Sequence, residues 1–440
     1  MPTRRVAVIG SGIAGLSTAW HLSAPGQDCH VTLYEAGNYL GGHTHTVDVT
    51  LPGADGRLHT HGVDTGFLVF NHRTYPELLK LFAELGVETA ASDMSFSVQA
   101  EQGALEWSGC NLDTVFAQRS NLFSPRFLGM LRELMRFNKR ATALARTGSE
   151  AQLAQSIGDF LDTEGYSDTF RRWYFLPMIG CIWSCPTAQM LQFPVATMVR
   201  FCHNHGLLQV SDRPQWYTVA GGARQYVEKM RPRLPDVRLN TPVQAVRRLA
   251  GGGVVVMASD GQVRYDEVVL ACHSDQSLRL LGADASPDEA RVLGAIRYHP
   301  NRAVLHTDVA QLPRRQKAWA AWNYEHAGDV ATEDAGVCLH YLLNRLQPVP
   351  FAQPVVLSLN PVRPVRDDQV LAEFDYSHPV FDRAAIDAQG RLPSIQGRRS
   401  TWFCGAWTGY GFHEDGLKSG LNVVRGLQHQ WAHARPLVPA

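Results

Sequence analysis

The chain carries unbroken apolar runs at its two ends and helical periodicity through its middle. Residues 6–9 are apolar without interruption, the pattern of a strand buried on both faces. Gly10, Ser11, Gly12, Ile13, Ala14 and Gly15 follow, and then an apolar helical stretch over residues 16–22. A second apolar run, 31–34, ends in Glu35 and Ala36. Residues 44–51 alternate as a strand, 53–56 make a turn, and 63–70 read as a strand entering a bend through Gly66 and Phe67. Thr74 and Glu77 match a capping box for a helix whose face is Leu78, Leu81, Phe82 and Leu85, with Gly86 as its stop. Residues 94–98 and 104–107 flank Gly103 as a hairpin.

From about 111 to 206 the chain is expected to be mostly helical, the signature of a second domain inserted into an α/β protein. Within it, 125–146 is amphipathic: Met130, Leu134, Phe137, Ala141 and Leu144 share one face. Arg126, Arg132, Arg136, Lys139, Arg140 and Arg146 face a single Glu133. Two readings stand, a solvated basic face or a docking site for an anionic surface such as a phospholipid leaflet or an acidic carrier protein. No formal charge occurs between Trp173 and Val199, which is long enough to span a bilayer. Pro177, Pro186 and Pro194 break the stretch, so it reads as a buried wall of an apolar substrate site or a lipid-docking surface. Beyond it, Gly221 and Gly222 precede a helix, 241–246 reads as a strand, 254–265 as a hairpin about an Asp260–Gly261 turn, and 268–271 as a buried strand. Residues 290–394 mix strand and irregular patterns, with Trp319, Trp322, Tyr324 and Tyr341 expected in the core. A last apolar strand at 401–404 leads through Gly405 and Ala406 into the aromatic loop Trp407, Thr408, Gly409, Tyr410, Gly411, Phe412. His413, Glu414, Asp415 and Gly416 then precede a helix expected to start near Leu417, with Asp415 as its best cap.

Strand, glycine turn, helix, strand and acid form the dinucleotide-binding fingerprint in its proper setting. Gly10 allows the tight turn, Gly12 lets the backbone approach a diphosphate, and Gly15 lets the helix pack on the strand. The helix N-terminus offers unpaired amides and partial positive charge to the phosphates. Glu35 follows Gly15 by 20 residues, the offset of a carboxylate that takes ribose hydroxyls.

At 440 residues there is room for two domains. Lys plus Arg equals Asp plus Glu, which gives no hint of nucleic acid. Eight cysteines, none in a Cys-x-x-Cys pair, read as structural thiols of a reducing cytoplasmic compartment, without a disulfide framework or metal site. A strand beginning by residue 5 leaves no expected room for a signal peptide.

Gly41, Gly42 and His43, close behind Glu35, resemble the glycine doublet of the FAD-dependent amine oxidase and carotenoid-desaturase superfamily. That resemblance implies noncovalent FAD, with the acid on the adenosine ribose and the doublet against the diphosphate. The superfamily usually carries Arg after the doublet, where this chain has His43, whose charge at pH 7 is less certain. It also implies that Val243 meets the adenine through its backbone, and that Gly405, Ala406 and the final helix N-terminus lie beside the flavin ring. Free amides there would stabilise the negative charge of reduced flavin near N1 and the C2 carbonyl. The implied fold is α/β: a Rossmann-like FAD-binding domain (1–75, 215–290 and 395–440) with an inserted, largely helical plus mixed-sheet substrate domain (76–214 and 291–394). Candidate cofactor residues are Gly10, Ser11, Gly12, Ile13, Ala14, Gly15, Glu35, Ala36, Gly41, Gly42, His43, Gly66, Phe67, Val243, Gly405, Ala406, Asp415, Gly416 and Leu417.

Candidates to face flavin or substrate are Trp407, Tyr410 and His413. Amine oxidases often place a lysine near flavin N5. A loose alignment sets Arg302 there, and Arg cannot shuttle a proton as Lys does, which counts against simple amine oxidation. The stretches 63–71, 75–86, 92–98 and 317–324 further resemble the FAD oxidoreductase region at the N-terminus of plant cyclopropane fatty acid synthases and its stand-alone bacterial relatives. This implies oxidation or desaturation of a fatty-acyl chain, such as a modified acyl group in a phospholipid, by hydride transfer to N5. The alternatives are a flavin amine oxidase and a flavin-bearing partner of a lipid-modifying methyltransferase. Peripheral contact with the inner membrane through 125–146 goes with the lipid reading.

Overall fold

The computed structural model describes residues 3–209, 213–326 and 337–433. Five parallel strands form one sheet in the order Asp236–Arg238, Cys29–Tyr34, Arg4–Ile9, Glu267–Leu270, Thr401–Phe403. The central strand, Arg4–Ile9, is buried at Val6, Ala7, Val8 and Ile9, as its unbroken apolar run predicts. The helix Ile13–Leu22 leaves the glycine turn and packs on this sheet. The closing helix, His413–His433, packs on that helix through its glycines. A Cβ on Gly420 would lie 2.5 Å from Ala14 O, and one on Gly416 would lie 2.8 Å from Ile13 Cγ2. That close approach draws the loop before the closing helix over the glycine turn.

A second, seven-stranded sheet runs Val370–Val380, Arg297–His306, Val356–Leu359, Cys338–Leu342, Trp322–Glu325, Phe96–Ala100, Leu105–Ser108. Neighbours are antiparallel except for the parallel pair Trp322–Glu325 and Phe96–Ala100. Register sets Phe96, Trp322, Tyr341 and Leu357 side by side across four strands. One residue along, on the opposite face, Ser97, Asn323, His340 and Ser358 form a buried polar rung. Period-two alternation thus gives the sheet an apolar face and a hydrogen-bonded one. The Ser97 hydroxyl donates to Asn323 Oδ1 at 2.7 Å, and His340 Nδ1 and His306 Nε2 each lie 2.6 Å from Ser358 Oγ.

The helical block is present, and its longest helix is Pro125–Thr147. The uncharged stretch folds into the short helices Leu176–Trp183, Thr187–Leu191 and Val195–Asn204, the first and third largely buried and the second buried only at Met190. Among the described residues no helix is long and apolar enough to cross a membrane.

Three local expectations are corrected. The strand expected over 63–70 ends at Asp64, and 65–69 is irregular. The helix Pro76–Leu85 carries no Thr74–Glu77 capping box: Tyr75 is its N-cap, and Thr74 is spent on Asn71, whose Oδ1 accepts from the Thr74 amide and hydroxyl. The closing helix starts at His413, so Asp415, Gly416 and Leu417 lie inside its first turns. Asp415 still serves the turn, accepting from the amides of Tyr410 and Phe412 at 3.0 and 3.1 Å.

Candidate active site

A cavity of about 780 Å³ lies between the two sheets. One side is lined by residues that follow the carboxyl ends of four parallel strands: Gly10 to Ala14, Glu35 and Ala36, Ala271 to His273, and Gly405 to Trp407. Ligands bind at that edge of open α/β sheets. The other side is the apolar rung Phe96, Trp322, Tyr341 and Leu357, together with Met178, Cys181, Ile182 and Trp183 from the uncharged stretch.

The glycine turn is built as its sequence demands. Gly10 has φ +100°, and its amide donates to Tyr34 O at 2.9 Å, tying the turn to the next strand. A Cβ on Gly15 would lie 1.9 Å from Gly10 O, so the third glycine is a packing requirement. A Cβ on Gly12 would meet nothing within 4 Å, since that face of the turn opens into the cavity. The first amides of the helix Ile13–Leu22 have no partner within the helix. Glu35 is braced at the strand end: Oε2 accepts from the Ser11 amide and hydroxyl at 2.9 and 2.5 Å, and Oε1 accepts from the Gly37 amide at 2.8 Å. Each oxygen keeps lone-pair capacity for a further donor.

The glycine doublet lies against the turn. Gly41 bridges to Gly12, its amide donating to Ser11 O at 3.0 Å. His43 follows, and its Nε2 is out of reach of solvent and without a hydrogen-bond partner. Its ring is 5.0 Å from Tyr376, 5.5 Å from His378 and 6.4 Å from His273. Burial, and then the neighbouring His378 and His273, push the His43 pKa down to about 3. Burial likewise lowers His378 to about 4. His43 is therefore a neutral hydrogen-bonding group at pH 7, where a guanidinium would be an ion-pair partner. The His43 carbonyl accepts from the Phe67 amide at 2.7 Å, and a Cβ on Gly66 would lie 2.2 Å from that carbonyl.

At the closing segment, Trp407 is buried and donates its indole N–H to Cys272 O at 3.2 Å. A Cβ on Gly405 would strike the Trp407 ring at 2.5 Å. His413 stacks on Phe67 with centroids 3.9 Å apart, and its Nε2 lies 2.8 Å from Tyr226 Oη. Burial lowers its pKa to about 3. Trp407, Tyr410 and His413 all line the cavity, as do Val243, Gly66 and Phe67.

Four expected cofactor residues are not on the wall. Gly15 and Gly416 are packing glycines, Leu417 is core, and Asp415 holds the preceding loop from behind. Arg302 is misplaced outright. It alternates with buried Asn301 and Ala303, points outward, and pairs with Glu373 at 2.7 Å. His273, Tyr298, Tyr376 and His378 were missed. For Tyr298, Tyr376 and His378 the one sequence signal is aromatic residues recurring in strands of the second domain, which does not say which face they occupy, and His273 lies just past the strand Glu267–Leu270 with no signal of its own.

Among the described lining residues Glu35 is the sole carboxylate and Arg279 the sole Lys or Arg. Away from the cavity, Glu325, Cys338 and His340 bring three ligand-type atoms within 4.8 Å on the polar face of the second sheet. Arg363 pairs with the same carboxylate at 2.9 Å, which makes the group an ion-pair cluster. All eight cysteines are free thiols.

The sequence profile of the flavin containing amine oxidoreductase family matches residues 13–306. The carotenoid phi-ring synthase of Streptomyces griseus is 28% identical over 301 residues, 63% of this chain. The match spans 54% of that relative, so the chain covers about half its length. Cyclohexylamine oxidase from Brevibacterium oxydans IH-35A superposes with a TM-score of 0.68 at 14% identity, over 98% of this chain and 100% of that one. A fatty acid isomerase from P. acnes that produces CLA superposes with a TM-score of 0.65 at 16% identity, over 97% of this chain and 99% of that one. At these identities the likeness is one of fold, the two-domain FAD fold of the amine oxidases.

The cavity fits that cofactor on its own evidence. Open space at Gly12, helix amides beside it, a braced carboxylate at the strand end and the unpartnered Nε2 of His43 together match a diphosphate joined to a ribose. Gly10 to Ala14, Gly41, Gly42 and His43 would hold the diphosphate, Glu35 the ribose, and Gly405 to Trp407 the ring. Bound FAD supplies a two-electron acceptor at N5. The chain's own part is to orient substrate against it and to keep water out with the apolar rung and the Trp407 loop. The chain belongs to the flavin containing amine oxidoreductase family and is an FAD-dependent oxidoreductase.

Proposed function

We propose that the enzyme dehydrogenates an acyl or similarly long hydrocarbon chain. The observation that carries this reading is the charge inventory of the cavity. An alkylammonium substrate would be desolvated there with no carboxylate beside it, since Glu35 stands at the ribose end. A hydrocarbon meets Phe96, Trp322, Tyr341, Leu357 and Met178 at no such cost. The outward turn of Arg302 leaves no side chain in the role a lysine takes near N5 in amine oxidases. The name of the fatty acid isomerase that shares the fold agrees with an acyl chain in this architecture. Neutral His43, His378 and His413 titrate well below 5, so they act at pH 7 as hydrogen-bonding groups and only weakly as proton acceptors.

The test is anaerobic reduction of the purified yellow protein. Fatty acids and phospholipids should bleach the flavin band near 450 nm, and monoamines or polyamines should not. Bleaching by amines alone would reverse the assignment. Bleaching by neither, with a lipid-modifying methyltransferase held tightly, would make the protein a flavin-bearing partner instead.

A further inference from the structure

The helix Pro125–Thr147 has a second stripe besides its buried one. At 100° per residue, Phe127, Met130, Leu134, Phe137, Ala141 and Leu144 face the core. About 180° away, Leu128, Arg132, Met135, Lys139 and Arg146 fall on one line, all exposed. Leu128 and Met135 are 44% and 56% exposed, and just before the helix Leu122 and Phe123 are 42% and 86% exposed. These four are a large share of the exposed bulky apolar side chains of the described residues, spread over the approach to this helix and its N-terminal half.

The cations divide cleanly. Arg136 and Arg140 are engaged with Glu133 and Glu164, Arg136 also caps the carbonyls of Glu164 and Gly165, and Arg126 sits over the Trp173 ring. Arg132, Lys139 and Arg146 form no ion pair among the described residues. The net charge of the chain is zero, so this is a local surplus. Bulky apolar side chains interleaved with unpaired cations on one exposed helix line match the headgroup–acyl boundary of a membrane, where the cations meet phosphates and the apolar groups enter the acyl layer.

We infer that this line is a docking surface for an anionic phospholipid bilayer, with Phe123, Leu128 and Met135 inserted and Arg132, Lys139 and Arg146 on the phosphates. The surface also stands near the substrate cavity. Phe96 of the cavity wall packs edge-on to Trp107 at 6.1 Å, and Trp107 packs on Phe127 at 6.0 Å. Two ring contacts therefore separate the helix from the cavity. The inference rests on the surface alone and does not require an acyl substrate.

Co-sedimentation of the flavin-loaded protein with phosphatidylglycerol vesicles and with phosphatidylcholine vesicles tests it. Binding is expected to the first and not the second, weakening as salt rises. The triple variant Arg132→Gln, Lys139→Gln, Arg146→Gln should bind about a hundredfold more weakly, given roughly fivefold for each of three cations at such a surface. The variant Phe123→Ser, Leu128→Ser, Met135→Ser should lose binding while keeping its flavin spectrum, since all three side chains are exposed. In Phe123→Trp, brominated lipid should quench the new indole. Absence of binding to phosphatidylglycerol at low salt, or binding that neither triple variant changes, would overturn the inference. Binding to an acidic protein with equal loss in both variants, but no vesicle binding, would replace the bilayer with a protein partner. Vesicle binding without flavin bleaching by lipid would keep the docking surface and remove the acyl substrate.

Discussion

Gly12 and Gly15 stand one helical turn apart and should fail in opposite ways when enlarged. At Gly12 a new Cβ enters the space a diphosphate needs and meets no protein atom within 4 Å. Gly12→Val should therefore fold with near-normal stability and lose flavin affinity by on the order of a hundredfold or more, as three carbon atoms fill that contact. Absorbance near 450 nm after reconstitution, read beside a melting curve, checks both halves. Gly15→Ala puts its methyl into Gly10 O and should cost about 1–3 kcal/mol of folding stability, with flavin loss only as a consequence. These roles were legible in the sequence because each is a demand on the backbone that a single residue type meets. Arg302 was not legible, because a one-residue uncertainty in strand register moves a side chain to the other face of the sheet.

Among elements, the helix Pro76–Leu85 shows where local reading stops. Its amphipathic face and its Gly86 stop were plain, and Leu78, Leu81 and Phe82 are buried. Its start is held from 337 residues away. Glu414 Oε1 and Oε2 accept from the amides of Glu77 and Leu78 at 2.9 and 3.0 Å, while Lys418 lies 3.2 Å from the same carboxylate. A capping signal within the stretch could not reveal this, because the acceptor arrives only once the closing helix packs. Glu414→Ala strips one buried and one half-buried amide of a charged acceptor, and about 2 kcal/mol should be lost in urea unfolding. The same variant leaves every cavity-lining side chain in place, so its flavin spectrum should be unchanged. An unaltered urea midpoint would mean that water caps the helix equally well.

The glycine turn, the acid and the doublet form the cofactor half of the cavity, and they were readable because they lie within 43 residues of the start. The substrate half joins Phe96, Met178, Trp322, Tyr341, Leu357 and His378, whose neighbourhood exists only after two distant stretches share a sheet. Burial in that shared interior fixes how the whole molecule answers to acid. His43 and His413 titrate at about 3, and His205, His306 and His378 at about 4, burial being the main cause in each. Unfolded, each takes a proton near 6.5. Below 6.5 the unfolded chain thus binds more protons at these five sites, and stability falls as pH drops toward their folded values. Buried carboxyls act the other way. Asp64 and Glu267 are raised to about 7 and Asp415 to about 6, so they stay protonated when folded and favour the folded state as pH falls through that range. Five histidines outnumber three carboxyls, so the flavin-free protein should lose stability between pH 6.5 and 4.5, at about 1.4 kcal/mol per pH unit for each uncompensated proton. Urea midpoints across that window check the sign, and His43→Gln, which removes one of the five, should make the fall shallower. A midpoint that held steady or rose on acidification would mean that these imidazoles are protonated inside the fold, and that the cavity beside His43 is far wetter than its unpartnered Nε2 indicates.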